Sequence, residues 1–210
     1  MKNNLLPISS AGFQYIAYTA LAFIVLTIFD FDFLAFLAFV LLVALAFVYR
    51  NPEREILAFE PNSVLSPVDG SVLSIEEIKD SKYAYKIEIE SNYLDVGVLR
   101  VPLDATLESL NIQRGTRLPN SSLLHNKINE NAELTFSDNN ANSIKVKHQL
   151  SRSFDSLNID ITSSQSLRQS SRYGVMIDGI TTIYLPHNFR VNVAIGNELK
   201  ASQTLIGYFS

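Results

Sequence analysis

The 210-residue chain contains neither cysteine nor tryptophan. It therefore cannot form a disulfide framework, a thiolate nucleophile or a Cys-ligated metal site. Basic residues are not in excess either, because 17 Lys and Arg stand against 21 Asp and Glu, for a formal net charge of −4. That balance lacks the basic footprint of nucleic-acid binding, so no nucleic-acid partner is expected. The three histidines have no neighbouring ligand spacing that would predict a metal site.

Charged side chains are scarce in the first 49 positions, where only Lys2, Asp30 and Asp32 carry charge. Two apolar runs, residues 11–29 and 33–49, lie on either side of the Asp-Phe-Asp tripeptide. One continuous helix would place both carboxylates mid-membrane, at about 2.5–3.5 kcal/mol each. Two helices of about 17–19 residues would instead reach roughly 26–29 Å, close to the ~30 Å hydrocarbon thickness. We therefore predict a membrane hairpin and its junction over residues 1–54.

Basic residues flank both ends of the predicted hairpin, with Lys2 before it and Arg50 and Arg54 after it. The positive-inside rule then places both termini and the remaining chain on the cytoplasmic face of a bacterial-type inner membrane. A cleaved signal peptide would need a small-residue cleavage site after the first run, and FDFDFLAF at residues 29–36 offers none. A hairpin lying shallowly in one leaflet remains open, since both arms are short.

Residues 55–210 carry the patterns of a β-rich domain. Residues 85–90 alternate with period two, and the turn dipeptide Asp69-Gly70 precedes an apolar run at residues 71–75. Similar runs occupy residues 94–101, 107–112, 144–148, 157–161, 181–185 and 189–195, and polar segments at 137–143 and 163–171 predict loops. These features predict a mainly β fold, either a sandwich or a barrel. Glycine turns within residues 113–119 and 194–201 resemble those of barrel-sandwich domains.

Six short motifs follow one another behind the apolar runs. They read YRNPER at 49–54, SPVDG at 66–70, DVGVLR at 95–100, GTRLP at 115–119, RYG at 172–174 and YLP at 184–186. In this order they resemble the short-form, membrane-anchored phosphatidylserine decarboxylases of phosphatidylethanolamine synthesis, over nearly the whole chain. The resemblance implies a decarboxylase-like β domain behind a two-helix anchor.

The resemblance also implies a chemistry. Members of that family cut themselves before a serine, which becomes an N-terminal pyruvoyl group that forms a Schiff base with the substrate amine and accepts electrons during loss of CO2. The cut needs a serine hydroxyl, normally after glycine, and a base that activates it. A histidine and an aspartate supply the activation and the later proton transfers.

This chain departs from that pattern at two of the three positions. Asp69 matches the family aspartate, but the family histidine falls on Gly97, and the Gly-Ser pair falls on Asp178 and Gly179. A one-residue gap would move the serine position to Ile180, which also lacks a hydroxyl. Thr181 and Thr182 lie beyond it and could not give an ordinary pyruvoyl group, so no cofactor is expected.

The one Gly-Ser dipeptide, at Gly70 and Ser71, is interpreted as the start of a strand. Arg50, Arg54 and Arg100 are candidate ligands for a lipid headgroup, since arginine suits phosphate geometry. Three hypotheses follow. The first is a non-catalytic relative that binds an aminophospholipid, forms a homo-oligomer or pairs with an active paralogue. The second is an active decarboxylase with a displaced site, and the third is a membrane-tethered assembly module.

Overall fold

The computed structural model describes residues 6–55, 62–78, 82–140 and 142–210. The chain divides into two compact units, Lys2–Glu53 and Arg54–Ser210. Arg54 is the first residue of the second unit, and its guanidinium binds Asp69 of that unit.

The first unit is a pair of apolar helices, α1 at Phe13–Ile28 and α2 at Asp32–Val48. Asp30 lies in the turn between them with a left-handed backbone, φ +57°. The segment Ser10–Ile28 is 19 residues long and apolar enough to cross a membrane, while α2 is a shorter apolar helix. Backbone hydrogen bonds from Ser9 N to Tyr49 O (2.8 Å) and from Asn51 N to Pro7 O (2.7 Å) join the two ends of this unit.

The second unit is mainly β, which confirms the predicted fold class. Its strands are β1 Ser63–Leu65, β2 Gly70–Glu77, β3 Tyr85–Ser91, β4 Val98–Arg100, β5 Ala105–Gln113, β6 Asn131–Ser137, β7 Ser143–Leu150, β8 Asn158–Ile159, β9 Ser166–Leu167, β10 Arg172–Val175, β11 Gly179–Leu185, β12 Phe189–Val191, β13 Glu198–Leu199 and β14 Leu205–Phe209. A single short helix, α3 at His125–Ile128, lies between β5 and β6 among the described residues.

The strands form three antiparallel sheets. The largest has eight strands in the order β13-β2-β3-β11-β7-β6-β5-β9, and two three-stranded sheets have the orders β1-β14-β12 and β4-β10-β8. Alternate side chains of the large sheet, such as Ile87, Ile89, Val146 and Ile183, are fully buried in one apolar core. Of the two forms left open by the sequence, the described strands form open sheets rather than a closed barrel.

The strongest period-two segments became strands where predicted. Residues 85–90, 144–148 and 181–185 lie in β3, β7 and β11, and Gly70 opens β2. Residues 94–101 and 189–195 are only partly extended, as β4 and β12. The strands β6 and β10 were not predicted. In β6 the buried Ala132, Leu134 and Phe136 alternate with polar residues, so the period-two signal was present in the sequence, whereas β10 spans only four residues. Residues 166–167 form the short strand β9 inside the predicted loop 163–171.

Several strands of the large sheet meet at one end, which we call the site end. There β3 finishes at Ser91, opposite Gly179, the first residue of β11. Gly179 also pairs with Leu150, the last residue of β7. Gly70, the first residue of β2, lies at this same end, because Ser71 pairs with Glu90. The loops that leave these strands therefore meet around the positions that the family resemblance singled out.

Candidate functional site

Asp69 lies at the site end, immediately before β2, and both of its carboxylate oxygens accept hydrogen bonds. Arg54 donates to both oxygens, Nη1 to Oδ1 at 2.5 Å and Nη2 to Oδ2 at 2.6 Å. The backbone N–H of Ala201 donates to Oδ1 at 2.8 Å. Both side chains of the ion pair are about nine-tenths buried. Asp69, the predicted match to the family aspartate, is thus fixed in orientation by an arginine and a backbone amide.

Ser91 connects Asp69 to the predicted cleavage region. Its hydroxyl donates to the backbone oxygen of Asp69 at 2.5 Å. Its backbone pairs with Gly179 across β3 and β11. The fold therefore brings Asp69 and the Asp178-Gly179 dipeptide, more than a hundred residues apart in sequence, to neighbouring strand ends.

Gly97, the predicted histidine position, also lies beside that dipeptide. Its backbone oxygen accepts a hydrogen bond from Met176 N at 2.8 Å. A Cβ at residue 97 would lie 2.8 Å from the Met176 carbonyl oxygen, a backbone atom. Residue 97 thus lies beside the segment that leads into Asp178 and Gly179, but it has neither an imidazole nor room for a side chain without a backbone shift.

Gly179, at the predicted serine position, likewise has no room for a side chain. A Cβ there would lie 2.3 Å from the carbonyl oxygen of Gln149 and 3.0 Å from Met176 Sδ. Ile180, the position reached with a one-residue gap, is half-buried and carries no hydroxyl. The residues at this site therefore do not fit a pyruvoyl group, which has to be made from a serine side chain.

Asp178 is buried in a small polar group that the sequence analysis did not find. Burial raises the pKa of its carboxyl, the nearby Glu90 carboxylate raises it further, and the Arg152 guanidinium opposes the shift. Tyr93 contributes a hydroxyl that donates to Arg152 O at 2.7 Å. These residues come from three separate loops and strand ends, so no local motif could have predicted their meeting.

The three candidate headgroup arginines lie in different environments. Arg50 belongs to the helical unit, where its guanidinium lies 4.0 Å from the Phe47 ring centroid. Arg54 forms an ion pair with Asp69. Arg100 is buried in β4, where its Nη1 lies 3.4 Å from Ser170 O. Their role in binding a headgroup stays a prediction.

A buried polar triad lies in the core of the β unit, and one member, Thr181, is close in sequence to the predicted cleavage position at Asp178 and Gly179. His148 Nδ1 lies 2.8 Å from Thr181 Oγ1, and Nε2 lies 2.5 Å from the Tyr173 hydroxyl. Burial lowers the pKa of His148 to about 3, so the imidazole is neutral at physiological pH. Burial likewise raises the pKa of Tyr173. His148 and Thr181 are direct cross-strand partners on β7 and β11, a pairing that only the sheet register reveals.

The long loop between β5 and β6 is fixed to the site end. Asn129 Nδ2 donates to Leu118 O at 2.7 Å and to Leu150 O at 2.8 Å, which ties the loop to the end of β7. The buried Glu130 carboxylate binds Arg114 and lies 3.6 Å from Arg117 Nη2. This loop is consequently ordered by contacts at its base rather than free in solution.

Comparison with known proteins agrees with the resemblance found in the motifs. The model of the family described as phosphatidylserine decarboxylase matches residues 43–207. The phosphatidylserine decarboxylase proenzyme of Burkholderia cenocepacia is 28% identical over 207 residues, covering 95% of this chain and 94% of the relative. The proenzyme of Desulfotalea psychrophila is 22% identical over 206 residues, covering 96% of each. The match therefore extends through the whole β unit and into the helical one.

Proposed function

Because the chain belongs to the phosphatidylserine decarboxylase family, we propose that it is a membrane-anchored, non-catalytic member that acts in phospholipid metabolism without processing itself. One observation supports this most directly. The histidine and serine positions are both glycine, and each glycine lies against backbone atoms where a Cβ would be less than 3 Å away. Loss of either the base or the nucleophile alone removes orders of magnitude in rate.

The proposed location is the cytoplasmic face of a bacterial-type inner membrane. The apolar segment Ser10–Ile28 supports anchoring. The basic residues Lys2, Arg50 and Arg54 support the orientation through the positive-inside rule. In this location the β unit would bind an aminophospholipid, or pair with a second copy or with a catalytically active paralogue.

The mass of the protein purified from its own membrane tests the non-catalytic proposal without a substrate. We expect one chain near 23.5 kDa, with no carbonyl-reactive N-terminus. Two chains, the smaller one capped by an α-keto acyl group, would overturn it. A second measurement tests the ligand: binding to nanodiscs of defined headgroup should favour an aminophospholipid. Binding with no headgroup preference would favour the assembly-module hypothesis instead.

A displaced active site is the second candidate, and the Thr181 hydroxyl beside His148 is the observation that favours it. Attack by Oγ1 on the Ile180 carbonyl would break the peptide C–N bond and form an ester through Oγ1. Loss of the Thr181 Cα proton with departure of the Ile180 carboxylate from Cβ would then cut the chain before residue 181. Cleavage would leave residues 1–180 and 181–210 as separate chains, distinct in mass from a cut before Gly179 or Ile180. Two features favour the non-catalytic function: both side chains are fully buried, and an imidazole with a pKa near 3 is a weak base.

A further inference from the structure

Large apolar side chains project into solvent at the site end. Leu94 is 73% exposed, Leu123 96%, Leu124 51% and Phe154 45%. They lie on three loops, between β3 and β4, between β5 and β6, and between β7 and β8. We call these four residues the apolar rim. Single exposed hydrophobic residues need no explanation, but several on adjoining loops indicate an interaction surface.

The three loops contact one another. The Tyr93 ring, next to Leu94, stacks on the Phe154 ring at 6.0 Å between centroids. Arg117 Nη1 donates to Phe154 O at 2.9 Å. Asn120, three residues before Leu123, donates to Glu90 Oε1 at 2.9 Å. These contacts make the rim one surface around the site end.

The rim is carried on an ordered backbone. Asn129 and Glu130 fix the base of the loop that holds Leu123 and Leu124. Docking this surface would therefore cost little conformational entropy, which is the main loss that flexible loops suffer on binding.

The polypeptide enters the β unit at this same end. Arg54, the first residue of the unit, is bound to Asp69 and to Ala201 O. The preceding peptide bond links it to Glu53 and so to the apolar helices. A bilayer that holds those helices would therefore be covalently linked to the unit that carries the rim, and this link would raise the effective concentration for a weak apolar contact.

The charges around the rim suit an anionic lipid surface. Lys127 and Arg152 are exposed cations on the loops that carry the rim, while Arg114 is exposed but forms an ion pair with Glu130. Glu198 on β13 is an exposed carboxylate at this end. Six others are buried or accept hydrogen bonds from the protein's own groups: Asp69, Glu90, Asp95, Glu130, Asp155 and Asp178. Exposed cations beside apolar side chains are the combination that binds the headgroup region of a membrane.

We propose that the apolar rim inserts into the headgroup region of the bilayer that holds the chain's own helices, so that the site end of the β unit faces the lipid. This second membrane contact is separate from the apolar helices. It rests on the proposed membrane location but not on whether the protein is catalytic.

The absence of cysteine gives a direct test. Full-length L123C and N139C, each with a single environment-sensitive fluorophore, are reconstituted in nanodiscs of phosphatidylcholine and phosphatidylglycerol, with and without spin-labelled lipid. Asn139 is an exposed control in the turn between β6 and β7, at the opposite end of the sheet. We expect a blue-shifted emission and severalfold stronger lipid quenching at residue 123 than at residue 139. Equal, weak quenching at both positions would overturn the proposal.

A protein partner on the same surface gives a different result. If a second copy covered the rim, emission at residue 123 would shift on raising the protein concentration, without quenching by spin-labelled lipid, and this would also overturn the proposal. Circular dichroism of both labelled proteins verifies that each remains folded. Both positions are exposed, so neither substitution removes a core contact.

Discussion

Arg54 and Asp69 form a bidentate ion pair that fixes the start of the β unit to the turn before β2. The two N–O distances are 2.5 and 2.6 Å, and the side chains are only 8% and 11% exposed. The carboxylate also accepts the Ala201 N–H. Asp69 therefore connects three segments that are distant in sequence.

Removing Arg54 is expected to destabilise the β unit strongly. The R54M variant leaves the Asp69 carboxylate buried and uncompensated, which costs about 3–5 kcal/mol. Chemical unfolding of the full chain in detergent, followed by circular dichroism, measures the loss. The control is E76Q, which breaks the more exposed Lys86–Glu76 pair (3.3 Å) and should cost less than about 1 kcal/mol. Equal losses in the two variants would show that the Arg54 pair contributes no more than a surface pair.

Restoring a serine at Gly179 is expected to give a destabilised protein that stays intact. In G179S the new Cβ meets the Gln149 carbonyl, an overpacking that costs about 1–3 kcal/mol. Intact-mass measurement should show a single chain near 23.5 kDa.

The matched control for G179S is I180S, which places the hydroxyl at the neighbouring half-buried position. It should also remain a single chain, because residue 97 supplies no base. Cleavage of either variant would contradict the non-catalytic proposal, since it would mean that the remaining residues can activate a hydroxyl.

The buried His148 should make the β unit acid-sensitive. Its pKa is about 3 in the folded protein against an ordinary value of 6.5. Below pH 6.5 the unfolded chain binds a proton that the folded chain does not bind until about pH 3. Stability is therefore full above pH 6.5 and falls as the pH drops, by at most about 1.4 kcal/mol per unit from this group.

Urea unfolding between pH 7.5 and about 4.5 tests this pH dependence. The H148Q variant should be less stable at pH 7, because the contacts to Thr181 and Tyr173 change, but its stability should vary less with pH. The exposed His187 provides the control H187Q, which should retain the pH dependence of the unaltered protein. Parallel pH curves for H148Q and the unaltered protein would rule out His148 as the source.

Asp178 should have the opposite pH effect. Burial raises the pKa of its carboxyl, so the folded state holds the proton at pH values where the unfolded chain has lost it. Its contribution favours the folded state at low pH and is lost as the pH rises through the folded pKa. We therefore expect D178N to be at least as stable as the unaltered protein at pH 7 in the same urea titration. A marked loss of stability in D178N would instead show that the charged carboxylate is stabilised by Arg152.

The local patterns in the sequence were enough to predict that the second unit is mainly β. Residues 85–90 and 181–185 alternate because one face of each strand is buried, and that period is visible without any partner strand. The strand β6 was missed although its buried Ala132, Leu134 and Phe136 alternate with polar residues, so the same period-two signal was present in the sequence. Neither the meeting of His148 with Thr181 nor the cluster around Asp178 could be found locally, because both depend on sheet register.

The sequence alone determined the composition of the chain and which chemical groups its side chains can supply. It has two apolar runs and no cysteine, and it lacks both a hydroxyl and an imidazole at the positions where the family motifs place them. Only the tertiary structure decided which distant residues become neighbours. It pairs Asp69 with Arg54, presses Gly97 and Gly179 against backbone carbonyls, and gathers the apolar rim at one end of the sheet. The physical reason is that side-chain identity is local, whereas strand pairing brings together groups far apart in the chain.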